Sequence, residues 1–417
     1  MQLNTIDNLI NDGVGVKGKR VIVRCDLNVP MYQGKVSDPT RILRILPTLT
    51  KLMNEGAKVI VISHFGRPDG AFKMDYSLAP IADALSLYLS EDMEREVDVK
   101  FGVDCVGKSA KNAVDHVLDG EIVLLENLRF HVEEKANDDE FAKELASFGD
   151  LYVNDAFSCS HRAHASIVGI PKYLPSACGY LLREEVENLH SVLGEPERPV
   201  AAIVGGSKIS TKIDMLKTLS SKMDYLFVGG GMANTFLYAK GYEIGDSLFE
   251  KDLKKTALEI MKEASENGCE IVLPEDVIVA EDLVEKAKCS IARADNIPSN
   301  MKILDVGPMS LMNWGGILKK CKTVVWNGPL GAFEISPFDA GSISLARIIA
   351  SLTINGEIKS VAGGGDVLAA LAKSGLRDNL SYVSTAGGAF LEWLEGKELP
   401  GVKVLVCDVE SKNSVCA

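Results

Sequence analysis

Arginine and histidine side chains follow several short apolar runs in the first half of the chain, in the sequences RCDLNVP, ISHFGRP, LENLRF and NDAFSCSHRAH. Open parallel sheets bind ligands at the carboxyl ends of their strands, and guanidinium groups make paired hydrogen bonds to phosphate or carboxylate. A single arginine is usually a solvated surface residue, whereas four in one domain can converge on one anion. The candidates are Arg41, Arg67, Arg129 and Arg162 together with His64, and Asp26 and Asn28 are candidate partners for hydroxyl groups.

Arg41 is expected in the first turn of a helix. In SDPTRILR, Asp38 has the side chain of an N-cap, and Pro39 is expected to be the first helical residue. The positive end of the helix dipole disfavours a cation in that turn. The position of Arg41 therefore predicts a bound anion nearby.

Glycines dominate the strand exits of the second half of the chain. Four apolar runs lead through glycine into helical patterns, in AAIVGGSKISTK, YLFVGGGMANTF, SVAGGGDVLAAL and YVSTAGGAFLEW. Glycine lets the backbone approach a ligand closely, and the free N–H groups of a helix start can bind an anion. One such turn is usually ordinary turn chemistry, and none of the four is a Walker A loop. Their recurrence predicts a second anion site.

Two lysines follow the first glycine turn. Lys208 and Lys212 are four residues apart and are expected at the start of a helix. There the two charges would repel each other and oppose the helix dipole. Both lysines could simply be solvated on an exposed face, but we favour a bound polyphosphate that offsets both penalties.

Two carboxylates accompany the later glycine turns. Asp366 follows three glycines, so it either caps the next helix or faces phosphates through Mg²⁺. Magnesium is typically held by one or two carboxylates together with phosphate oxygens and water. Glu334, in WNGPLGAFE, is either an ordinary surface residue or an acceptor for ribose hydroxyl groups, and the sequence favours neither interpretation.

Short β-branched runs alternate with helical patterns, which predicts an α/β fold with parallel sheets covered by helices. A helix rich in Glu and Leu is expected over residues 181–193, and the prolines of GEPERP end it. We place the domain boundary there, with a hinge helix and linker at 181–199 between an N-terminal domain (1–180) and a C-terminal domain (200–391). The expected strands cover residues 21–24, 58–62, 122–125, 151–153, 201–204, 226–228, 271–273, 324–326 and 360–362.

The composition limits the class of protein. The chain has 417 residues, of which 46% are hydrophobic, enough for two cored domains. A net charge of −13 argues against nucleic acid or an anionic membrane as the main partner. No membrane span or secretory signal is expected from the pattern of apolar residues. The nine cysteines contain no Cys-x-x-Cys pair, which argues against a zinc site or a disulfide framework and favours the cytoplasm.

Taken together, these motifs resemble those of phosphoglycerate kinases. RCDLNVP, SHFGRP, LENLRF, NDAF…HRAH, GGSKISTK, GGGMANTF, WNGPLGAFE, GGGD and STAGGAFLEWLEGK occur in the order of that family, from about Val21 to Val402. The resemblance implies two Rossmann-like domains joined by a hinge helix, with the tail 392–417 returning to the N-terminal domain. It also implies a monomer that transfers a phosphoryl group reversibly between 1,3-bisphosphoglycerate and MgADP, giving 3-phosphoglycerate and MgATP.

The resemblance also assigns residues to each ligand. The three-carbon acid and its phosphate would be bound by Asp26, Asn28, Arg41, His64, Phe65, Gly66, Arg67, Arg129 and Arg162. The nucleotide would be bound by Lys212, Gly307, Asn327, Glu334, Gly363, Gly364, Gly365, Asp366 and Val367, with Mg²⁺ held by Asp366. The transferring phosphoryl group would be surrounded by Arg41, Lys208, Lys212 and the backbone N–H groups of Gly364 and Gly388.

Three positions depart from the pattern of the family. Val367 stands where Ser or Thr is usual, Ala386 stands where Gly is usual, and Ser158-Cys159-Ser160 replaces a common Gly-Thr-Ala. The first change is expected to remove a hydroxyl contact to phosphate, and the other two to alter local loop geometry. None removes a proposed catalytic group.

Two other functions are compatible with parts of the sequence. An NAD-dependent dehydrogenase would also use a glycine turn, but no Gly-x-Gly-x-x-Gly is followed by an acidic residue about 20 positions later. A non-catalytic nucleotide-binding regulator would keep the glycine turns but would not need all the arginines. Binding of NAD would favour the dehydrogenase, and binding of ADP without turnover would favour the regulator.

Overall fold

The computed structural model describes residues 2–11 and 15–407, which form two compact units. The first unit contains the described residues up to Val186 and those from Glu398 onward, and the second unit is Glu187–Lys397. These limits differ by a few residues from the domain limits expected at 180 and 391. The first division lies inside the helix Tyr180–Leu193, within the segment predicted to be a hinge. None of the helices in the described ranges is long and apolar enough to cross a membrane.

The first unit is built on a parallel sheet. Its strands in chain order are β1 (Arg20–Arg24), β2 (Met31–Tyr32), β3 (Lys35–Val36), β4 (Lys58–Ile62), β5 (Val99–Gly102), β6 (Ile122–Leu125), β7 (Leu151–Asn154) and β8 (Ser176–Cys178). Strands β2 and β3 form an antiparallel hairpin. The other six form a sheet in the order β5-β6-β4-β1-β7-β8, in which every pairing is parallel.

Helices cover both faces of this sheet, which explains why its inner strands are continuously apolar. Val21 and Val23 of β1 belong to one hydrophobic cluster, and Ile22 between them belongs to another. Successive side chains of a strand point to opposite faces, so each face has its own core. The helices of this part of the chain are α1 (Ile6–Asn11), α2 (Thr40–Asn54), α3 (Ala79–Asp92), α4 (Gly107–Asp115), α5 (Val132–Ala136), α6 (Asp139–Ala146) and α7 (Tyr180–Leu193).

The second unit contains a larger set of strands in two sheets. They are β9 (Val200–Val204), β10 (Tyr225–Val228), β11 (Glu270–Val272), β12 (Asp276–Ala280), β13 (Ser290–Arg293), β14 (Lys302–Val306), β15 (Thr323–Asn327), β16 (Lys359–Gly363) and β17 (Tyr382–Ser384). Six of them form a parallel sheet in the order β11-β10-β9-β15-β16-β17. The remaining three form an antiparallel sheet in the order β13-β12-β14.

Six helices lie between these strands, a seventh follows the last strand, and an eighth lies in the part of the chain that belongs to the first unit. They are α8 (Ile213–Ser220), α9 (Gly230–Ala239), α10 (Lys254–Glu266), α11 (Pro308–Leu318), α12 (Ala340–Ile354), α13 (Gly365–Ser374) and α14 (Gly387–Leu394), then α15 (Pro400–Lys403). The core of the second unit includes Trp314 and Trp326, both fully buried.

Each parallel sheet has one point at which the direction of strand addition reverses. In the second unit the chain runs outward from β9 through β10 and β11, then resumes on the other side with β15, β16 and β17. This is the strand order of doubly wound dinucleotide-binding sheets, in which ligands bind beyond the carboxyl ends of the strands at the reversal. In the first unit the reversal lies between β1 and β7.

The predicted α/β class with two parallel sheets is confirmed. All nine expected strands are present, and each limit agrees within one residue. The prediction missed β5 and β8, which are the two edge strands of the first sheet, and the antiparallel sheet of the second unit. β5, β8 and β13 are short or half-exposed, so they lack the continuous apolar run that marks a buried parallel strand. β12 is largely buried, and its apolar run VIVA was not predicted as a strand.

Candidate active site

The Asp26 carboxylate lies just beyond β1, at the reversal point of the first sheet. Arg41 Nη1 donates to Asp26 Oδ2 at 2.7 Å and to the Asn28 carbonyl oxygen at 2.9 Å. The Ser158 hydroxyl donates to Asp26 Oδ2, and the Asn28 N–H donates to Asp26 Oδ1. Burial raises the pKa of Asp26, but the charge of Arg41 and these hydrogen bonds favour the ionised form, and the pKa lies below its usual value. Asp26 is therefore an ionised anchor that orients Arg41.

His64 follows β4 and carries a neutral ring. Its Nδ1 lies 3.1 Å from Arg24 Nη2, and because arginine can only donate, the ring proton must be on Nε2. Burial lowers the pKa of His64 well below its usual value against the opposing effect of Asp26, and the charges of Arg24, Arg129 and Arg41 add to the lowering. The neutral ring can thus donate one hydrogen bond from Nε2 to an anionic ligand.

Arg24 is a buried arginine that the sequence analysis did not select. Its Nε donates to Ser166 Oγ at 2.9 Å, and Ser166 Oγ donates to Glu134 Oε1 at 2.6 Å. Glu134 is fully buried, so it balances the charge of Arg24 through Ser166. Arg24 lies within β1 rather than after it, and the signal that could have identified it is a charged residue inside the apolar run VIVRC.

The side chain of Asn127 fixes the loop that follows β4. Asn127 Oδ1 accepts hydrogen bonds from the Phe65 N–H at 3.1 Å and from the Arg129 N–H at 3.0 Å, and its Nδ2 donates to the Phe65 carbonyl at 2.7 Å. The prediction selected Phe65 and Arg129 but not Asn127. Its role follows from contacts between segments about sixty residues apart, which the motif LENLRF does not reveal.

Gly66 links this loop to two other predicted residues. Its N–H donates to Asn28 Oδ1 at 2.9 Å, and its carbonyl accepts from Arg129 Nη1 at 2.8 Å. Its φ is +60°, and a Cβ atom would lie 2.2 Å from the ring of Tyr76. The position therefore requires glycine.

Three further arginines extend the basic cluster. Arg129 is largely buried, and its Nε has no hydrogen-bond partner among the described residues. Burial lowers the pKa of Arg129, and the charges of Arg24 and Arg162 add to that effect. Arg162 is exposed and donates from Nε to His161 at 3.1 Å. Arg67 is also exposed and makes no hydrogen bond or ion pair with another described residue. The cluster is thus positioned to accept an anion.

The helix that carries Arg41 begins one residue later than predicted. Pro39 is the N-cap of α2, which starts at Thr40, so Pro39 is not the first helical residue. Asp38 Oδ1 accepts from the Thr40 N–H at 2.9 Å and closes the turn before the helix. Arg41 does lie in the first turn, where it already has a partner in Asp26.

A cleft of about 600 Å³ lies within the second unit, where the glycine turns after β9 and β10 meet the loop after β15. Its walls are largely apolar, as in many nucleotide and small-molecule sites. The predicted carboxylates Glu334 and Asp366 both line it. Other lining residues include Gly206, Gly230, Gly231 and Leu330.

Lys212 is held at the reversal point of the second sheet. Its Nζ donates to Asn327 Oδ1 at 2.6 Å and to the Gly205 carbonyl at 2.8 Å. Asn327 Nδ2 in turn donates to the Gly363 carbonyl at 2.8 Å. Asn327 and Lys212 together thus link the ends of β15 and β16 to Gly205, which follows β9. Burial lowers the pKa of Lys212 to about 8, although Asp366 opposes this. A phosphate nearby would stabilise this partly desolvated ammonium group.

Gly364 and Asp366 form the start of α13. Gly364 is the N-cap with φ of +102°, and a Cβ atom there would lie 2.7 Å from Asn327 Nδ2. Asp366 is not an N-cap, because it lies in the first helical turn, exposed and facing the cleft. One exposed carboxylate at the edge of a phosphate site is a donor set that fits Mg²⁺, which takes its other ligands from phosphate and water.

Comparison with known proteins decides the family. A family model described as phosphoglycerate kinase matches residues 10–397. A curated phosphoglycerate kinase from Rhodospirillum centenum is 51% identical over 405 residues, which is 97% of this chain and 100% of that protein. The chain belongs to the phosphoglycerate kinase family. The protein of that name from Agrobacterium fabrum is also 51% identical, over 96% of this chain and 98% of its own length.

Solved phosphoglycerate kinases have the same fold. The structure from Coxiella burnetii matches with a TM-score of 0.87 at 44% identity, over 97% of this chain and 98% of that one. The structure from Pyrococcus horikoshii matches with a TM-score of 0.78 at 29% identity, with the same coverage. The chain is therefore a kinase, as the sequence resemblance predicted, and the dehydrogenase alternative is not supported.

The arrangement of the two lysines differs from the prediction. Lys208 and Lys212 flank the 3₁₀ turn Ile209–Thr211. Lys212 is the N-cap of α8, so it lies at a helix start as predicted, but Lys208 does not. The predicted repulsion between Lys208 and Lys212 along one helix is therefore wrong. Lys208 is exposed and makes no ion pair with a described residue, and its charge contributes to lowering the pKa of Glu250.

Several residues that the phosphoglycerate kinase resemblance assigned to the nucleotide or to the transferring phosphoryl group are not among the residues that line the cleft. The Val367 side chain is fully buried in the hydrophobic core, so a phosphate contact is open only to its backbone. Gly363 is buried against the ring of Phe390. Gly307 caps α11 beside the lining residue Val306, whereas Gly365 and Gly388 are exposed in the first turns of their helices.

The other departures from the phosphoglycerate kinase pattern have local explanations. Ala386 has φ of −98°, so no glycine is needed there. The Ser158 hydroxyl donates to Asp26 and thus adds a hydrogen bond to the carboxylate that orients Arg41. The Cys159 sulfur lies 3.8 Å from His64 Nδ1.

Asp305 is a buried carboxylate that the sequence analysis missed, and it lines the nucleotide-sized cleft. Its oxygens accept from the Gly341 N–H at 2.7 Å and from the Val306 N–H at 2.9 Å. Burial nevertheless raises the pKa of Asp305 to about 7. The only signal in the sequence is a carboxylate at the end of the apolar run KILDV.

Proposed function

We propose that this kinase transfers a phosphoryl group reversibly between 1,3-bisphosphoglycerate and MgADP, producing 3-phosphoglycerate and MgATP in glycolysis. The observation that supports this most strongly is that each unit has one candidate anion site and that the two differ in design. The first presents arginine and histidine side chains, and the second presents glycine turns, a lysine and helix N-termini. A phosphoryl transfer between two ligands of different shape needs one site for each ligand.

The arginine-lined site suits the three-carbon acid. Arg129 offers an unpaired buried Nε, and His64 offers its Nε2–H, so each can bind one oxygen of a phosphate or carboxylate. Asp26 and Asn28 are suited to the hydroxyl group of the substrate. Arg162 and Arg67 are exposed and can close on the phosphate when it is bound.

The glycine-lined cleft suits the nucleotide. Its apolar walls accept a base, Glu334 is suited to the ribose hydroxyl groups, and Lys212 and the N–H groups at the start of α13 are suited to the phosphates. Asp366 would hold Mg²⁺, which when bound would neutralise phosphate charge.

The chemistry requires positioning rather than a catalytic base. The acceptor is a carboxylate that is already ionised at neutral pH, so no proton has to be removed from it. Charge spreads over the phosphoryl oxygens during in-line transfer, and preorganised cations and N–H groups stabilise that charge. Arg41, Lys208, Lys212 and the N–H groups of Gly364 and Gly388 are the candidates for this task.

Direct transfer also requires the two ligands to meet without water between them. We propose that the segment 181–199 acts as a hinge and that closure needs both ligands. Small-angle scattering would then detect the full contraction only with both substrates bound, and full contraction with one ligand would contradict the hinge proposal. We further propose a cytoplasmic monomer, which sedimentation of the purified chain and fractionation of cells would test.

The proposed activity is tested by ATP formation from 1,3-bisphosphoglycerate and MgADP with the purified chain. Turnover that depends on both substrates and on Mg²⁺ is expected. Binding of ADP without turnover would instead support a non-catalytic regulator.

A further inference from the structure

We propose that Zn²⁺ binds to Asp104, Cys105 and His131, a group of side chains outside both ligand sites. Asp104 and Cys105 follow β5, and His131 follows the 3₁₀ turn after β6. One potential ligand atom of each residue lies within 4.8 Å of the other two. A carboxylate oxygen, a thiolate sulfur and an imidazole nitrogen together are a donor set typical of zinc.

Existing contacts hold these groups near the geometry that a cation needs. His131 Nε2 lies 2.8 Å from Asp104 Oδ1, and the ring of His131 packs against the ring of Phe141 with centroids 5.4 Å apart. The Cys105 N–H donates to the same Asp104 oxygen at 2.7 Å. Zinc bonds to nitrogen and oxygen are about 2.0–2.1 Å long and those to sulfur about 2.3 Å, so modest side-chain rotations would complete the site.

The charges around Cys105 favour a cation. The carboxylates of Asp104, Glu134 and Glu126 all contribute negative charge at the thiol of Cys105. The chain has a second Asp-His-Cys group, which provides a contrast. Asp26, His64 and Cys159 lie beside Arg24 and Arg41, whose charges repel a cation.

The proposed site is partly exposed and has an open coordination position. The Cys105 thiol is buried, whereas the side chains of Asp104 and His131 are 44% and 28% exposed. Two of the three proposed ligands are therefore accessible to a cation from solvent. Three protein ligands leave a fourth tetrahedral position for water.

Binding exchanges protons for the metal. The Cys105 thiol loses its proton to solvent and forms a sulfur–zinc bond. His131 Nε2 releases to solvent the proton that it donates to Asp104, and Nδ1 takes up one proton from solvent. The neutral ring then binds zinc through Nε2, so the hydrogen bond to Asp104 is replaced by two bonds to the same ion. No oxidation or reduction occurs. The lack of a Cys-x-x-Cys pair argues against a zinc site formed by neighbouring cysteines. The site proposed here instead combines residues far apart in the chain, since His131 is 27 residues from Asp104.

Calorimetric titration of the untagged chain with Zn²⁺, paired with Co²⁺ absorption spectroscopy, tests this site. We expect one Zn²⁺ per chain and a thiolate-to-cobalt charge-transfer band. Cys105→Ser should abolish the band, and His131→Gln and Asp104→Asn should each weaken Zn²⁺ binding about tenfold or more. His131→Gln and Asp104→Asn change partly exposed side chains, so both are expected to fold. They therefore test the site even if Cys105→Ser does not fold.

Two control variants identify the thiol that binds. Cys289→Ser removes an exposed cysteine, and Cys159→Ser removes the thiol of the second group, and both should leave the band unchanged. Absence of stoichiometric Zn²⁺ binding by the unmodified chain would overturn the proposal. So would a band that persists in Cys105→Ser or that disappears in Cys159→Ser.

Discussion

At the scale of single residues, the side chains proposed to act on ligands are already held by protein partners. Arg41 is fixed by Asp26, and Lys212 is fixed by Asn327. Such preorganisation lowers the cost of ordering side chains when a ligand binds. Lys208, Arg67, Glu334 and Asp366 are exceptions, because all four are exposed and none makes an ion pair with the residues that the structure describes.

Lys208→Ala should therefore lower turnover strongly and change nucleotide affinity little. The lysine is free to meet charge that develops during transfer, and loss of one such group typically costs about 10²–10³ in turnover. Steady-state rates and calorimetric ADP affinity would measure both effects. Lys222→Ala, which changes another exposed lysine of the same unit, is the control and should be silent. Near-normal turnover in folded Lys208→Ala would remove Lys208 from the mechanism.

Asp366→Asn should raise the Mg²⁺ concentration needed for half-maximal activity. The exposed carboxylate lines the cleft, and a neutral amide is a weaker ligand for a hard cation. The measurement is a Mg²⁺ titration at fixed ADP, with Asp378→Asn as a control in the same unit. An unchanged Mg²⁺ dependence would show that Asp366 does not bind the metal.

Asp305 should make the stability of the fold depend on pH. Burial raises its pKa to about 7, so the folded chain binds this proton more tightly than the unfolded chain does. The resulting stabilisation is complete below the ordinary carboxyl pKa of about 4 and is lost as the pH rises through about 7. Asp305→Asn lacks this dependence, although it leaves one N–H without an acceptor.

Calorimetric melting temperatures between about pH 5 and 8 test this expectation. The melting temperature of Asp305→Asn should rise relative to that of the unmodified chain as the pH increases. A constant difference across that range would show that Asp305 does not titrate there. Asp155, whose pKa burial raises to about 6, is present in both proteins and cancels in the comparison.

At the scale of elements, both proposed sites arise where parallel strands end and helices begin. The sequence predicted the inner strands closely because a strand buried on both faces must be continuously apolar. It also selected Asp26, Arg41 and Gly66, which the structure joins in one hydrogen-bonded cluster through Asn28.

The remaining features depend on contacts between distant segments. Arg24 and Asn127 act through partners more than sixty residues away in the chain, such as Ser166 and Phe65. Local patterns carry no information on those pairings. The 3₁₀ turn between Lys208 and Lys212 was missed because the glycine turn and the following helix form one continuous helical pattern in the sequence.

Gly364→Ala tests how the start of α13 supports the second site. Its φ of +102° is strained for alanine by about 1–2 kcal/mol, and the new Cβ would displace Asn327 and thereby Lys212. We expect lower stability and weaker ADP binding, measured by denaturation and calorimetry. Gly316→Ala, in α11 of the same unit, is the control, since its Cβ would meet no atom within 4 Å. Equal effects of the two changes would contradict this role of Gly364.

At the scale of the whole molecule, the two units present different chemistry at the carboxyl ends of their parallel strands. The first unit concentrates arginines at its sheet reversal, although the chain as a whole has a net charge of −13. The second unit offers a largely apolar cleft with a lysine and helix N-termini. The central claim is that each unit binds one substrate of the same reaction.

Calorimetric affinities of the full chain for 3-phosphoglycerate and for ADP, measured in two single variants, test that claim most directly. Arg162→Ala should weaken 3-phosphoglycerate binding and leave ADP binding nearly intact, because alanine cannot replace a forked guanidinium–phosphate contact. Lys212→Ala should do the reverse, since its partner would be a nucleotide phosphate. Arg95→Ala, another exposed arginine of the first unit, should change neither affinity. If Arg162→Ala weakened ADP binding as much as 3-phosphoglycerate binding, the assignment of one substrate to each unit would be wrong.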